Sequence, residues 1–195
     1  MNKTLRKELK QWGILIAIGL VLYLTGLHVR VIGFLQRGIL ATGLIRPKTE
    51  INYNTTGTYP KFDLNLDLQD ADGQALNLQA FQDKVLFINL WATWCPPCLA
   101  EMPNIAHLYQ ELENSGIQFV MISQDRDFNK AIEFVRKNGY DFPVYQARGS
   151  WPAVLKTSSI PTTFVIDKHG NVVVNHQGMA QYNTKKFITF LQSLN

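Results

Sequence analysis

The sequence predicts an α/β fold behind an N-terminal helical segment, and three stretches carry that reading. Val85–Trp91 is an apolar run, β-branched and aromatic, that reads as a buried strand. Directly after it, Cys95-Pro96-Pro97-Cys98 can open a helix, because proline is tolerated in a first helical turn. Further on, strand-like and helix-like patterns alternate, from Ile117–Ser123 through a helical spacing of Phe128, Ile132 and Val135 to Thr162–Asp167.

The 195-residue chain suits one ordinary domain plus an appendage. Residues 1–11 form a basic tail with Lys3, Arg6, Lys7 and Lys10. Residues 12–28 follow without a charge, and the run Trp12–Leu27 predicts a transmembrane signal anchor, with Leu9 extending it while Lys10 snorkels. No small-residue cleavage signature follows, so the anchor reads as uncleaved. The basic flank places the tail in the cytoplasm and the remainder outside.

Residues 29–59 read as an amphipathic juxtamembrane segment and linker. Within Val29–Ile45, Arg30 and Arg37 lie seven residues apart, on one helical face opposite Ile32, Leu35 and Ile39. That pattern predicts an interfacial helix rather than a second span, because two arginines offset the insertion gain of the apolar residues. Arg46–Pro60 is linker-like, with Pro47, Asn52, Asn54 and Gly57.

Residues 60–195 form the folded domain. Phe62, Leu64, Leu66 and Leu68 alternate as one face of a strand, Asp72-Gly73 is a hairpin turn, and Gln74–Leu78 returns. The helix after the cysteines carries Ile105, Leu108 and Leu112, contains Pro103 and ends near Gly116. Asn138-Gly139 closes the next helix. Trp151–Thr157 reads as a short helix, Asn171–His176 as a strand, and Phe187, Phe190, Leu191 and Leu194 line a last helix.

The sequence pI of about 9.1 does not point to nucleic acid, because the charge is uneven. Residues 1–48 carry eight Lys/Arg against Glu8 alone, whereas residues 49–195 are net acidic at −3. Both cysteines of the chain lie in the Cys-Pro-Pro-Cys motif. A structural zinc site needs four ligands, and no Cys or His pair is spaced to complete one. Cys95 at a helix N-terminus meets unpaired N–H groups that lower a thiol pKa, and the thiolate is the form that attacks disulfides. Cys98, one turn behind, is the resolving thiol. His107, His169 and His176 share no ligand spacing and read as surface or turn residues.

These residues resemble the thioredoxin superfamily, and more closely its membrane-anchored TlpA/ResA-like thiol–disulfide oxidoreductases. The matching pieces are Asn89-Leu-Trp-Ala-Thr-Trp-Cys-Pro-Pro-Cys98, Glu101-Met-Pro103 and Ile160-Pro-Thr-Thr-Phe-Val-Ile-Asp167. The resemblance implies a thioredoxin-like fold: a central mixed sheet flanked by helices, an N-terminal hairpin, and a central αβ insertion over Ile117–Tyr145. It implies a cis Pro161 against the sulfurs, with the Ile160 backbone pairing with substrate. It places at Glu101 a partly buried carboxylate of raised pKa that moves protons for the thiols. Thioredoxin itself carries a buried aspartate where this chain has Asn89. Trp94, Pro96 and Pro97 complete the surface offered to substrate.

The function expected is that of a membrane-tethered reductase of protein disulfides. No cofactor beyond the Cys95–Cys98 disulfide and no metal are expected. The expected partners are oxidised protein substrates, apocytochromes c among the candidates, together with a membrane thiol-reductant donor and the cytoplasmic membrane. The expected location is single-pass in a bacterial cytoplasmic membrane, with the catalytic domain facing the periplasm or cell exterior. The alternative is a copper-handling thioredoxin-fold metallochaperone, although those use a Cys-x-x-x-Cys and a distal histidine. Peroxidase chemistry would want Thr or Ser three residues before the attacking cysteine, where this chain has Ala92.

Overall fold

The computed structural model describes residues 3–42, 45–47 and 60–195. Seven strands, β1 (Asp67–Asp70), β2 (Ala75–Asn77), β3 (Leu86–Trp91), β4 (Gln118–Ser123), β5 (Val144–Arg148), β6 (Thr162–Ile166) and β7 (Val172–Gln177), form one mixed sheet. Its order is β2-β1-β5-β4-β3-β6-β7. Five helices accompany it: α1 (Lys3–Leu24), α2 (Leu27–Ala41), α3 (Pro96–Leu112), α4 (Phe128–Asn138) and α5 (Lys185–Ser193). The topology is thioredoxin-like: β3, β4 and β5 run parallel, β6 and β7 return antiparallel on one side, and the β1–β2 hairpin extends the other.

β3 lies between β4 and β6, and all six of its residues are buried. A strand covered on both faces reads as a continuous apolar run, which is why Leu86–Trp91 shows no alternation. Successive side chains still serve opposite faces. Phe87 and Trp91 join the core cluster with Met102 and Ile105 of α3, Val135 of α4 and Phe187 of α5. Leu86, Ile88 and Leu90 join the other, with Leu66, Leu68, Leu78 and Leu155. Asn89, in step with Phe87 and Trp91, is a fully buried polar residue facing the helical layer.

Several boundaries differ from expectation for local reasons. The alternation Phe62–Leu68 marks burial but only its end is strand, because Leu66 N–H turns back onto the Leu64 carbonyl and Asn65 N–H bonds the Asp63 carboxylate. α3 ends at Leu112 rather than near Gly116: Ser115 closes it early, its N–H and hydroxyl both donating to the Leu112 carbonyl. Trp151–Thr157 holds only a 3-10 turn over Ala153–Leu155. β5 has too few apolar residues to stand out in the sequence.

The expected membrane anchor over residues 12–28 is overturned. Among the described residues no helix is long and apolar enough to cross a membrane. Helix α1 spends its first turns on Lys3, Arg6, Lys7, Glu8 and Lys10, then stops at Leu24, where Gly26 turns the chain at φ 67°. Its uncharged part, Gln11–Leu24, spans about 21 Å at 1.5 Å per residue, against a hydrocarbon core of about 30 Å. The single-pass location, the membrane partner, the membrane donor and the membrane-anchored qualifier of the resemblance fall with it. The segment read as interfacial is indeed largely helical, as α2, but it seats on the domain through Gly33 and Leu40, both buried. The linker expected between Arg46 and Pro60 lies mostly outside the described residues.

Candidate active site

The β3 strand delivers Ala92–Trp94 into a loop, and α3 begins at Pro96 with Cys95 as its N-cap. The sheet's parallel strands end here, where open α/β sheets gather ligands. Cys95 and Cys98 form a disulfide with a Cα–Cα separation of 5.3 Å. Pro96 and Pro97 carry no N–H, so the first free amide of the helix belongs to Cys98, and it donates to Cys95 Sγ at 3.3 Å. Cys98 has no exposed surface and Cys95 retains 4 %. The N-terminal cysteine is therefore the one that meets solvent, through a narrower opening than its position at a helix end suggests.

The Ile160–Pro161 peptide is cis. The Ile160 carbonyl oxygen lies 3.7 Å from Cys95 Sγ, and Pro161 is buried. Gly178 N–H donates to the Pro161 carbonyl at 2.8 Å, tying this loop to the end of β7. Trp94 stands beside the pair with 58 % of its surface exposed, and Pro96 and Pro97 are half-buried.

Glu101 lies on the inner face of α3, three residues beyond Cys98, and is fully buried rather than partly so. Its Oε1 accepts from Asn89 Nδ2 at 2.8 Å and its Oε2 from Ala180 N–H at 3.1 Å. Burial pushes its pKa up to about 8, and these two hydrogen bonds hold back part of the rise. Asn89 Nδ2 also donates to Thr163 Oγ1 at 2.9 Å, and Tyr182 donates its hydroxyl to the same oxygen at 2.7 Å. Burial first, then the Glu101 charge, raise the Tyr182 hydroxyl well above its usual range. Asn89 Oδ1 is buried with no partner among the described residues.

A second polar group braces the loop before the cysteines. Asp125 accepts from Thr93 N–H at 3.0 Å, from the Thr93 hydroxyl at 2.6 Å and from the Ser123 hydroxyl at 2.9 Å. Sequence reasoning missed Asp125, Thr163, Ala180 and Tyr182, and treated Asn89 only as a point of difference. The register Asn89↔Thr163 is what brings β3 and β6 chemistry together, and no local motif announces it.

Among the described residues no group of three His, Cys, Asp or Glu side chains could hold a metal ion, so nothing supports copper handling. Ala92 is buried and offers no hydroxyl to a peroxide. A dithiol that closes across one helical turn, capped by a single amide and faced by an X–Pro carbonyl, exchanges electrons through sulfur. The fold and the disulfide define a thiol–disulfide oxidoreductase whose redox-active group is its own Cys95–Cys98 pair.

The family model described as Redoxin matches residues 55–187, and the chain belongs to that family. It is 29% identical over 131 residues to the thiol-disulfide oxidoreductase ResA of Halalkalibacterium halodurans, covering 66% of this chain and 74% of that protein. It is 32% identical over 117 residues to ResA of Bacillus thuringiensis, covering 58% and 66%. Among solved structures, a Chlorobium tepidum protein described as the thiol:disulfide interchange protein DsbE superposes with a TM-score of 0.60 at 23% identity. That likeness covers 70% of this chain and 99% of the other, and it concerns the fold.

Proposed function

We propose that the chain reduces disulfides in protein substrates, with Cys95 as the attacking thiolate and Cys98 as the resolving thiol. The observation that carries the reducing direction is the amide arrangement at the start of α3. With Pro96 and Pro97 lacking N–H groups, Cys95 Sγ receives its helix-terminus hydrogen bond from Cys98 alone. A strongly donated thiolate stabilises the reduced form and makes an oxidant. Here that stabilisation is thin. Glu101, one turn beyond Cys98, opposes a thiolate further whenever it is ionised. Both features favour a dithiol that gives up its electrons.

In the proposed cycle the Cys95 thiolate attacks one sulfur of the substrate disulfide. The substrate's S–S bond breaks, a mixed disulfide forms, and the departing thiolate takes a proton. Cys98 then loses its proton and attacks Cys95 Sγ, closing the internal disulfide and releasing the second substrate thiol. The substrate gains two electrons and two protons, and the Cys95–Cys98 pair loses them. Glu101, with a pKa of about 8, exchanges protons near neutral pH and serves as the store for the Cys98 proton. Trp94, Pro96, Pro97 and the Ile160 backbone form the face that substrate meets.

Equilibration of the purified protein with glutathione buffers tests the direction. A potential well below about −200 mV is expected, and a value near −120 mV would make the protein an oxidant.

A further inference from the structure

Helix α2 lies outside the stretch that matches the family, yet it is built into the active-site end of the domain. Gly33 meets the first turn of α3, where a Cβ would sit 3.5 Å from the Pro96 carbonyl oxygen. Arg37 donates through Nη2 to the Leu99 carbonyl oxygen at 3.5 Å, and Leu40 is buried. Positions 33, 37 and 40 share one helical face, and Gly33 and Arg37 on it meet α3 directly.

Seated there, α2 forms one wall of a cleft of about 610 Å³, with the loop ahead of Cys95 and the end of α4 as the others. Phe34, Trp94, Leu99 and Phe134 supply its apolar surface, and Arg37 and Lys137 are the charged side chains among its described lining residues. The nearby Asp125 carboxylate is turned inward, occupied by Thr93 and Ser123. Among the described residues Trp94 is the one exposed large hydrophobic side chain outside α1 and α2. A basic, aromatic cleft next to the residue that precedes Cys95 is complementary to an acidic, partly apolar chain.

We infer that this cleft binds the polypeptide flanking the substrate's disulfide and selects segments that pair an apolar side chain with a carboxylate. Phe34, Trp94 and Phe134 take the apolar group, and Arg37 and Lys137 take the carboxylate. The inference rests on the proposed reduction of protein disulfides, and it makes α2, which lies outside the stretch matched to the family, a specificity element.

The test uses two disulfide-linked peptides that differ only in the residues flanking one cysteine, Leu-Asp in one and Leu-Lys in the other. Neutral 2-hydroxyethyl disulfide serves as a separate substrate of the unmodified protein. The expected kcat/KM favours the Asp peptide about threefold to tenfold, the range two exposed ion pairs deliver, and the preference shrinks at high salt. Lys137→Glu, which leaves the α2 seat untouched, and Arg37→Glu each erase or reverse it, and Arg37→Lys restores it. Equal kcat/KM for the two peptides, or a preference that survives both charge reversals, overturns the inference. So does a preference that vanishes as enzyme concentration rises, which would show a second copy filling the cleft. Failure to turn over 2-hydroxyethyl disulfide would instead remove the reductase reading itself.

Discussion

Glu101→Gln isolates the energetic consequence of burying an acid beneath the active-site helix. The carboxyl rises from an ordinary 4.5 to about 8 in the folded chain, with burial as the main cause. Between those values the folded state holds a proton that the unfolded state has released, so stability falls as pH rises. The stabilising protonation is fully present below about 4.5 and lost by about 8. At 1.36 kcal/mol per unit, the loss across that window is on the order of 4–5 kcal/mol. Glutamine keeps the shape and carries no titration, so the variant should gain on the wild type by several kcal/mol as pH rises. Urea unfolding of both oxidised proteins at intervals between about pH 5 and 8.5 reads this directly, because the oxidised pair has no thiols to titrate. A free-energy difference between the two proteins that stays flat within about 0.5 kcal/mol over that range would refute the buried-acid argument.

Three further outcomes follow from the same geometry. Cys98→Ser should accumulate mixed disulfides with protein substrates and Cys95→Ser almost none; equal trapping on non-reducing gels would undo the division of roles. Pro97→Ala adds an amide beside Cys95 Sγ, so ultraviolet titration of the reduced protein should place the Cys95 pKa about one unit lower and its potential higher. An unchanged pKa would detach the prolines from redox tuning. Asp125→Ala strands the Thr93 amide and two hydroxyls, so urea unfolding should show a loss of roughly 1–3 kcal/mol, and no loss would mean that water replaces the carboxylate.

Features that depend on near neighbours in the chain were legible in the sequence. The strand Leu86–Trp91, the helix-opening prolines and the Asn138-Gly139 stop each follow from the chemistry of a few consecutive residues. Helical arithmetic also brings Glu101 inward from Cys98. Features that depend on distant pairing were not legible. Thr163 meets Asn89 only because β6 returns antiparallel in one particular register, and Ala180 reaches Glu101 across 79 residues. The N-terminal error has a different origin. A hydropathy reading adds up apolar residues, but a span requires one uninterrupted helix, and Thr25-Gly26 ends α1 after its uncharged part has run only about 21 Å. Gly33, inside the stretch read as an interfacial helix, instead packs α2 against the first turn of α3 at the Pro96 carbonyl.

Asn89 offers a way for a carboxyl in a sealed interior to change its charge while the hydrogen bond between the two side chains is kept. With Glu101 ionised, the Asn89 amide donates through Nδ2 to Glu101 and Thr163 while its Oδ1 is left without a partner. A protonated Glu101 presents a donor on the side where it formerly accepted, and a fixed donor facing it would be repelled. Rotation of the amide by half a turn would bring Oδ1 to that place, where it can accept from the Glu101 hydroxyl and from the rotatable hydroxyl of Thr163, at the cost of turning the Nδ2 donors to the place where Oδ1 has no partner among the described residues. A backbone N–H cannot make that exchange, and Ala180 continues to bond the other oxygen in both states. An aspartate at position 89 would add a second buried negative charge beside Glu101 and force one of the two to stay protonated. The amide therefore leaves a single acid to titrate alone beneath the active-site helix, as the proposed proton exchange near neutral pH requires.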